Sequence, residues 1–229
     1  MLNFFSRKGF YIIVMTKFTL NIEIDLAGIK SLTNAQMSVA MLQVDPDSQY
    51  LVVGVLTNPT QKITISWDDS VYVYTSGSPL QGYKTLEINS WKQASSGNLY
   101  SFNGSLITDR GSGQVPQGSV QIENKNNSSN PITTGLAKYF TVNDQKLPLA
   151  IMTASSLLYN GLGTFPISNN FWLTALSNSS QGQVIPRQVI PMLMPMALAA
   201  QPGLLLKFSD ANAVQQVRYD DQNNQFIQS

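Results

Sequence analysis

Histidine and cysteine are both absent from the 229 residues of this chain. Without histidine it lacks the side chain whose unperturbed pKa lies near neutrality, the usual general base and a common metal ligand. Without cysteine it has no thiol nucleophile, no disulfide and no thiolate zinc site. Charge is scarce too: Asp, Glu, Lys and Arg make up 12% of the chain, about half the ~25% of an ordinary globular protein. Net charge is +1, and Arg7-Lys8 is the only adjacent basic pair. The clustered basic footprint that releases counterions from a phosphate backbone is therefore missing, which argues against nucleic acid as a partner.

Long apolar runs are few. Phe10 to Met15 is shorter than a signal-peptide core, and no small-residue cleavage site follows it. Residues 1–15 read as an N-terminal extension or edge arm. The stretch between Arg187 and Lys207 carries no charge over nineteen residues, but Pro191, Pro195, Pro202 and Gly203 interrupt it, which argues against a transmembrane helix. With neither a signal peptide nor a membrane helix in view, the compartment stays open; a secreted protein, or one accumulated in assemblies, is expected.

Neutral polar residues fill the place of the missing charge. Asn, Gln, Ser and Thr account for 78 of the 229 residues, which predicts a weakly charged surface with little colloidal repulsion and a tendency to self-associate. The size allows one large domain or two small ones.

The strongest structural signal starts at Phe18. Phe18, Leu20, Ile22, Ile24 and Leu26 alternate with Thr19, Asn21, Glu23 and Asp25, the period of a strand with one buried and one wet face. Ile63, Ile65 and Trp67 repeat the pattern, Asp68-Asp69-Ser70 breaks it, and Val71-Tyr72-Val73-Tyr74-Thr75 resumes it. That arrangement predicts two strands around a tight turn, or one strand with a bulge. Further strand-like runs are Ser38–Val44, Tyr50–Leu56, Tyr83–Ile88, Leu99–Ile107, Ser119–Glu123, Ala137–Val142, Phe171–Leu176, Gln183–Ile190 and Leu204–Phe208. A last pair, VQQVRY and QFIQ, flanks Asp220-Asp221-Gln222-Asn223-Asn224. Short strands separated by turn residues predict an all-β, antiparallel β-sandwich of two layers, jelly-roll or Ig-like, with little helix. Short helices are expected at Ile29–Gln36 and at Ile151–Tyr159, the latter stopped by Asn160-Gly161.

Residues 16–229 read as a single β-sandwich domain. The Gly- and Ser-rich Asp109–Gly118 is the best linker candidate, and the alternative is two β domains, 16–110 and 118–229. Near the C-terminus, Met192, Met194 and Met196 share one parity of an extended chain, with Pro191 and Pro195 on the other. Proline confines such a segment to a sheet edge or an arm. Methionine suits an irregular core gap or an adaptable interface.

Paired carboxylates are the remaining route to catalysis, as in glycoside hydrolases. Among the 13 acids, Glu23 and Asp25 share a face, but it is the wet face of the first strand. Asp45-Pro46-Asp47 and Asp68-Asp69 read as turns. Asp220, Asp221 and Asn223 lack the spacing of an EF-hand and read as a hairpin turn. No catalytic, cofactor-binding or metal-ligating residue is expected, and no cofactor. Tyr72 and Tyr74, opposite Val71 and Val73, are the remaining cue, since tyrosine suits positions with one apolar and one wet end. The expected function is non-enzymatic: surface contact through Tyr72, Tyr74, Met192, Met194 and Met196, with a second copy of the chain as partner and a homo-oligomer or larger assembly as product. The alternative is a secreted, toxin-like membrane-active protein or a glycan-binding one, whose partner would be a membrane lipid or a glycan. In that case Ser101–Val120 is a candidate inserting hairpin.

Overall fold

The computed structural model describes residues 15–45, 48–112, 114–189 and 203–229. These form a mostly β structure of four open sheets with one α-helix. A six-stranded sheet has the order β12 (Gln145–Lys146), β11 (Thr141–Val142), β4 (Lys62–Asp68), β1 (Lys17–Glu23), β19 (Val214–Asp220), β20 (Gln225–Gln228). A five-stranded sheet runs β17 (Val184–Pro186), β3 (Tyr50–Thr57), β2 (Met37–Gln43), β16 (Asn170–Ser177), β18 (Leu204–Lys207). A third contains β13 (Ala150–Ile151), β10 (Ile132–Lys138), β5 (Val71–Ser76) and β6 (Ser90–Ala94), with β14 (Ser155–Leu157) also paired to β10. The fourth orders β15 (Leu162–Pro166), β9 (Ser119–Asn124), β7 (Asn98–Phe102) and β8 (Ile107–Ser112). Pairing is antiparallel except for β1 with β19 and β7 with β9.

The alternation read from Phe18 onward is what builds the main core. Phe18, Leu20 and Ile22 are buried, and they face Trp67, Ile65 and Ile63 in register across the β1–β4 pair. Val217 and Tyr219 continue the row through β19. This apolar face joins Val39, Met41, Phe171, Leu173 and Leu206 of the five-stranded sheet in one cluster. Trp67 is the hub, with Phe208, Phe171, Phe140 and Phe18 at ring-centroid distances of 4.7, 5.2, 5.5 and 5.7 Å. Such pairs add about 0.5–1.5 kcal/mol each beyond the area they bury. The opposite face of the six-stranded sheet carries Thr19, Asn21, Thr64 and Gln216, the neutral polar residues that replace charge along the chain.

Several expectations are corrected. The strand that starts the chain's clear pattern ends at Glu23, and Leu26, read as its last apolar residue, opens helix α1 (Leu26–Asn34) and is exposed. Asp25 caps that helix, its carboxylate accepting from Gly28 N at 2.7 Å; an N-cap side chain ends the strand and starts the helix at one residue. Ile151–Tyr159 is not a helix: it divides into β13, β14 and the turn before β15. Thr153 pins that stretch to β10, its hydroxyl accepting from Leu136 N at 2.9 Å. Tyr83–Ile88 forms no strand and contributes only the isolated bridge Thr85–Gln183. Asp68-Asp69-Ser70 does separate two strands, but β4 and β5 belong to different sheets and do not pair. All four sheets pair strands from both sides of Asp109–Gly118, and 109–112 is itself part of β8. The extension 1–14 and the Met192–Met196 segment lie outside the described residues.

Candidate functional site

Two of the chain's three crossings between the six-stranded sheet and the β5–β10 sheet fall at Asp68–Ser70 and at Tyr139–Phe140. These crossings lie side by side because β4 pairs with β11 while β5 pairs with β10. Phe140 turns inward to the Trp67 cluster. Its neighbour Tyr139 meets Tyr72, with ring centroids 5.2 Å apart at 80°. Trp91 of β6 completes the group, 5.6 Å from Tyr72 and 6.4 Å from Tyr139, edge-on to both.

Three mutually perpendicular rings hold one another by edge-to-face attraction. Lys146 of β12 lies over Tyr139, its Nζ 4.3 Å from the ring centroid. Trp91 is 51% exposed, so one large ring is presented to solvent on a strand rather than on a loop. An open cleft of about 560 Å3 is lined by two of the three rings, Tyr72 and Tyr139, with polar walls formed by Lys17, Ser66, Asp68, Thr141, Asp144 and Lys146. Asp68 is oriented by accepting from Ser70 N at 2.9 Å. Asp144 is held by the hairpin between β11 and β12, whose turn residues Asn143 and Asp144 have φ of 47° and 65°, the left-handed geometry of a tight hairpin. The Asn143 carboxamide accepts from Thr64 N at 2.8 Å and ties that hairpin to β4. A second cleft, of about 480 Å3, borders Trp91 with an apolar lining that includes Leu86, Ile88, Pro148 and Leu149.

Two phenols on one strand have different fates. Tyr72 is half-buried; burial pushes its phenol above the usual value, and the charge on Asp68 and the neighbouring Tyr139 push the same way. Tyr74 shares its parity but is fully buried. Val52, Leu86, Ala137, Ile151 and Val184 surround it, and its hydroxyl donates to the Thr153 carbonyl at 2.9 Å. Burial raises its phenol pKa far above the ordinary range. Tyr74 is thus a core residue and offers no contact surface, whereas Tyr72 belongs to the cleft. Met192, Met194 and Met196 lie outside the described residues.

Lys138 precedes Tyr139 and is 1% exposed. Its Nζ has no hydrogen-bond partner. Burial lowers its ammonium from 10.5 to about 8, against the opposing pull of Asp68 and Asp69.

Sequence reading missed Trp91, Tyr139, Asp144 and Lys146. A tryptophan in the polar run Ser90-Trp91-Lys92-Gln93 is a usable signal, because an isolated large ring among polar neighbours is presented outward more readily than packed. Asp220 behaves as turn chemistry predicts, its carboxylate accepting from the Asn223 side chain at 2.8 Å and holding its pKa below the ordinary value. Among the described residues no group of three or more acidic side chains is placed to hold a metal ion. Among them also, no helix is long and apolar enough to cross a membrane. Comparison with protein-family models, curated proteins and solved structures finds no match to this chain.

Proposed function

We propose that the chain is a non-enzymatic β-sandwich protein that acts by surface contact, and that the contact is carbohydrate binding at the cleft lined by Tyr72 and Tyr139, with Trp91 packed edge-on against both rings. The sandwich reading rests on the apolar cluster shared face to face by the six- and five-stranded sheets. The observation that carries the function is the exposed, strand-borne Trp91 held edge-on by Tyr72 and Tyr139, the two rings that line the cleft with Asp68, Asp144 and Lys146. A sugar ring has an apolar C–H face for an aromatic wall and a rim of hydroxyls for charged hydrogen-bonding groups, and this cleft supplies both. Low overall charge suits a neutral ligand, which needs no long-range steering.

A glycan array with the intact protein tests the reading. Binding to at least one glycan is expected, weakened ten-fold or more in Trp91→Ala and Tyr139→Ala with the far-UV spectrum unchanged. Silence across the array ends the proposal.

Self-association is a second reading, favoured by β20. Gln225–Gln228 contains no charge and no proline, and its outer edge pairs with no described strand. Natural edge strands usually carry one of those guards. Sedimentation velocity on wild type and Ile227→Lys tests it; a strictly monomeric wild type at high concentration sinks it.

A further inference from the structure

The four-stranded sheet gathers exposed apolar side chains at one end. β7 and β9 run parallel, so Phe102 and Asn124 finish at the same end. Their antiparallel partners begin there, β8 at Ile107 and β15 at Leu162. The loops of that end carry Leu106, Leu158 and Tyr159, and Leu162 opens β15. Leu106 is 65% exposed, Leu158 66%, Leu162 54% and Tyr159 45%. Three strand spacings separate the outer strands, so the tip is roughly 14 Å across.

This end is built rather than loose. The Asn103 carboxamide accepts from Ser105 N and Leu106 N at 3.0 and 2.9 Å. Asn124 donates through its side chain to the Leu157 carbonyl at 3.0 Å. The backbone joins in, with Asn160 N donating to Asn124 O at 2.7 Å and Lys125 N to Phe102 O at 2.7 Å. Charge here is self-cancelling: Lys125 pairs with Glu123 at 2.6 Å and also donates to Asn160.

From these features we infer that the Leu106–Leu158–Tyr159–Leu162 tip docks on a lipid bilayer surface. The occupant follows from area and charge. Four side chains on loop ends offer at most a few hundred Å2, short of the roughly 800 Å2 per partner of a stable protein interface. A bilayer sets no such threshold, since each leucine that enters the acyl boundary contributes separately and tyrosine prefers the headgroup level. A tip with no net charge matches zwitterionic lipid. The region Ser101–Val120, read from sequence as a candidate inserting hairpin, supplies only Leu106 of this set.

The test is co-sedimentation of the whole protein with phosphatidylcholine vesicles, which carry no sugar and so leave the glycan reading untouched. Wild type is expected to pellet with vesicles equally at low and high salt. The triple variant Leu106→Ser, Leu158→Ser, Leu162→Ser should bind at least ten-fold less, with its far-UV spectrum unchanged. Leu26→Ser, an equally exposed leucine on α1, should bind as wild type does. The inference is overturned if wild type stays in the supernatant, if the triple variant binds equally, or if binding requires anionic lipid. It is also overturned if the triple change abolishes vesicle-independent pelleting, which would make a second copy the occupant.

Discussion

Replacing Lys138 with methionine should stabilise the protein, and by an amount that depends on pH. The Lys138 amine is 1% exposed and unpartnered, with its pKa lowered from 10.5 to about 8. A shift of that size corresponds to about 3 kcal/mol of unfavourable burial of the charged form. Below about pH 8 folded and unfolded chains both hold the proton, and folding carries the whole cost. Between about pH 8 and 10.5 only the unfolded chain holds it, so native stability rises with pH. Methionine keeps the length of the side chain and removes the charge. Lys138→Met should therefore gain about 3 kcal/mol at pH 6, and the gain should shrink by about 2 kcal/mol at pH 9.5. Urea unfolding followed by tryptophan fluorescence at both pH values measures this. A variant that is less stable than wild type at pH 6, or whose gain is the same at both pH values, would refute the reasoning.

Other substitutions probe the scaffold that holds the cleft. Tyr74→Phe removes the hydroxyl that donates to Thr153 O and leaves a buried carbonyl one partner short, so it should cost about 1–2 kcal/mol in urea unfolding. Gly135→Ala should be worse, because a Cβ there would collide with the Thr153 carbonyl, a backbone atom; soluble yield and the unfolding midpoint should both fall. Asp25→Ala removes the cap from α1 and should cost about 1 kcal/mol by the same assay, with glycan binding unchanged because α1 packs on β2 of the five-stranded sheet while Trp91 lies on β6 of another.

What could be read from the sequence was local. The alternation from Phe18 needs only its own neighbours, and it specified both the strand and its buried face. The parity of Tyr72 and Tyr74 was equally legible, yet their burial was not. Tyr74 is covered by Val52, Ala137, Ile151 and Val184, which come from distant strands, whereas Tyr72 packs against the margin of that cluster and stays half-exposed. Ile151–Tyr159 misled because an apolar run without period 2 resembles a helix, and the bonds that hold it extended come from β10. The cleft itself was illegible for the same reason. Tyr72 and Trp91 sit on separate strands and Tyr139 on a crossing between sheets, and Lys146 and Asp144 arrive by a hairpin in the other sheet. No spacing in the sequence records a meeting made by two sheet crossings.

The central claim is that Trp91 and its two tyrosines form a sugar-binding wall. Titration calorimetry of the wild-type protein with the best ligand from a glycan array, repeated with Trp91→Ala, tests it most directly. The expected result is saturable binding by wild type and at least a ten-fold loss in the variant, with the far-UV spectra of the two proteins the same. Equal affinity in the two proteins would contradict it.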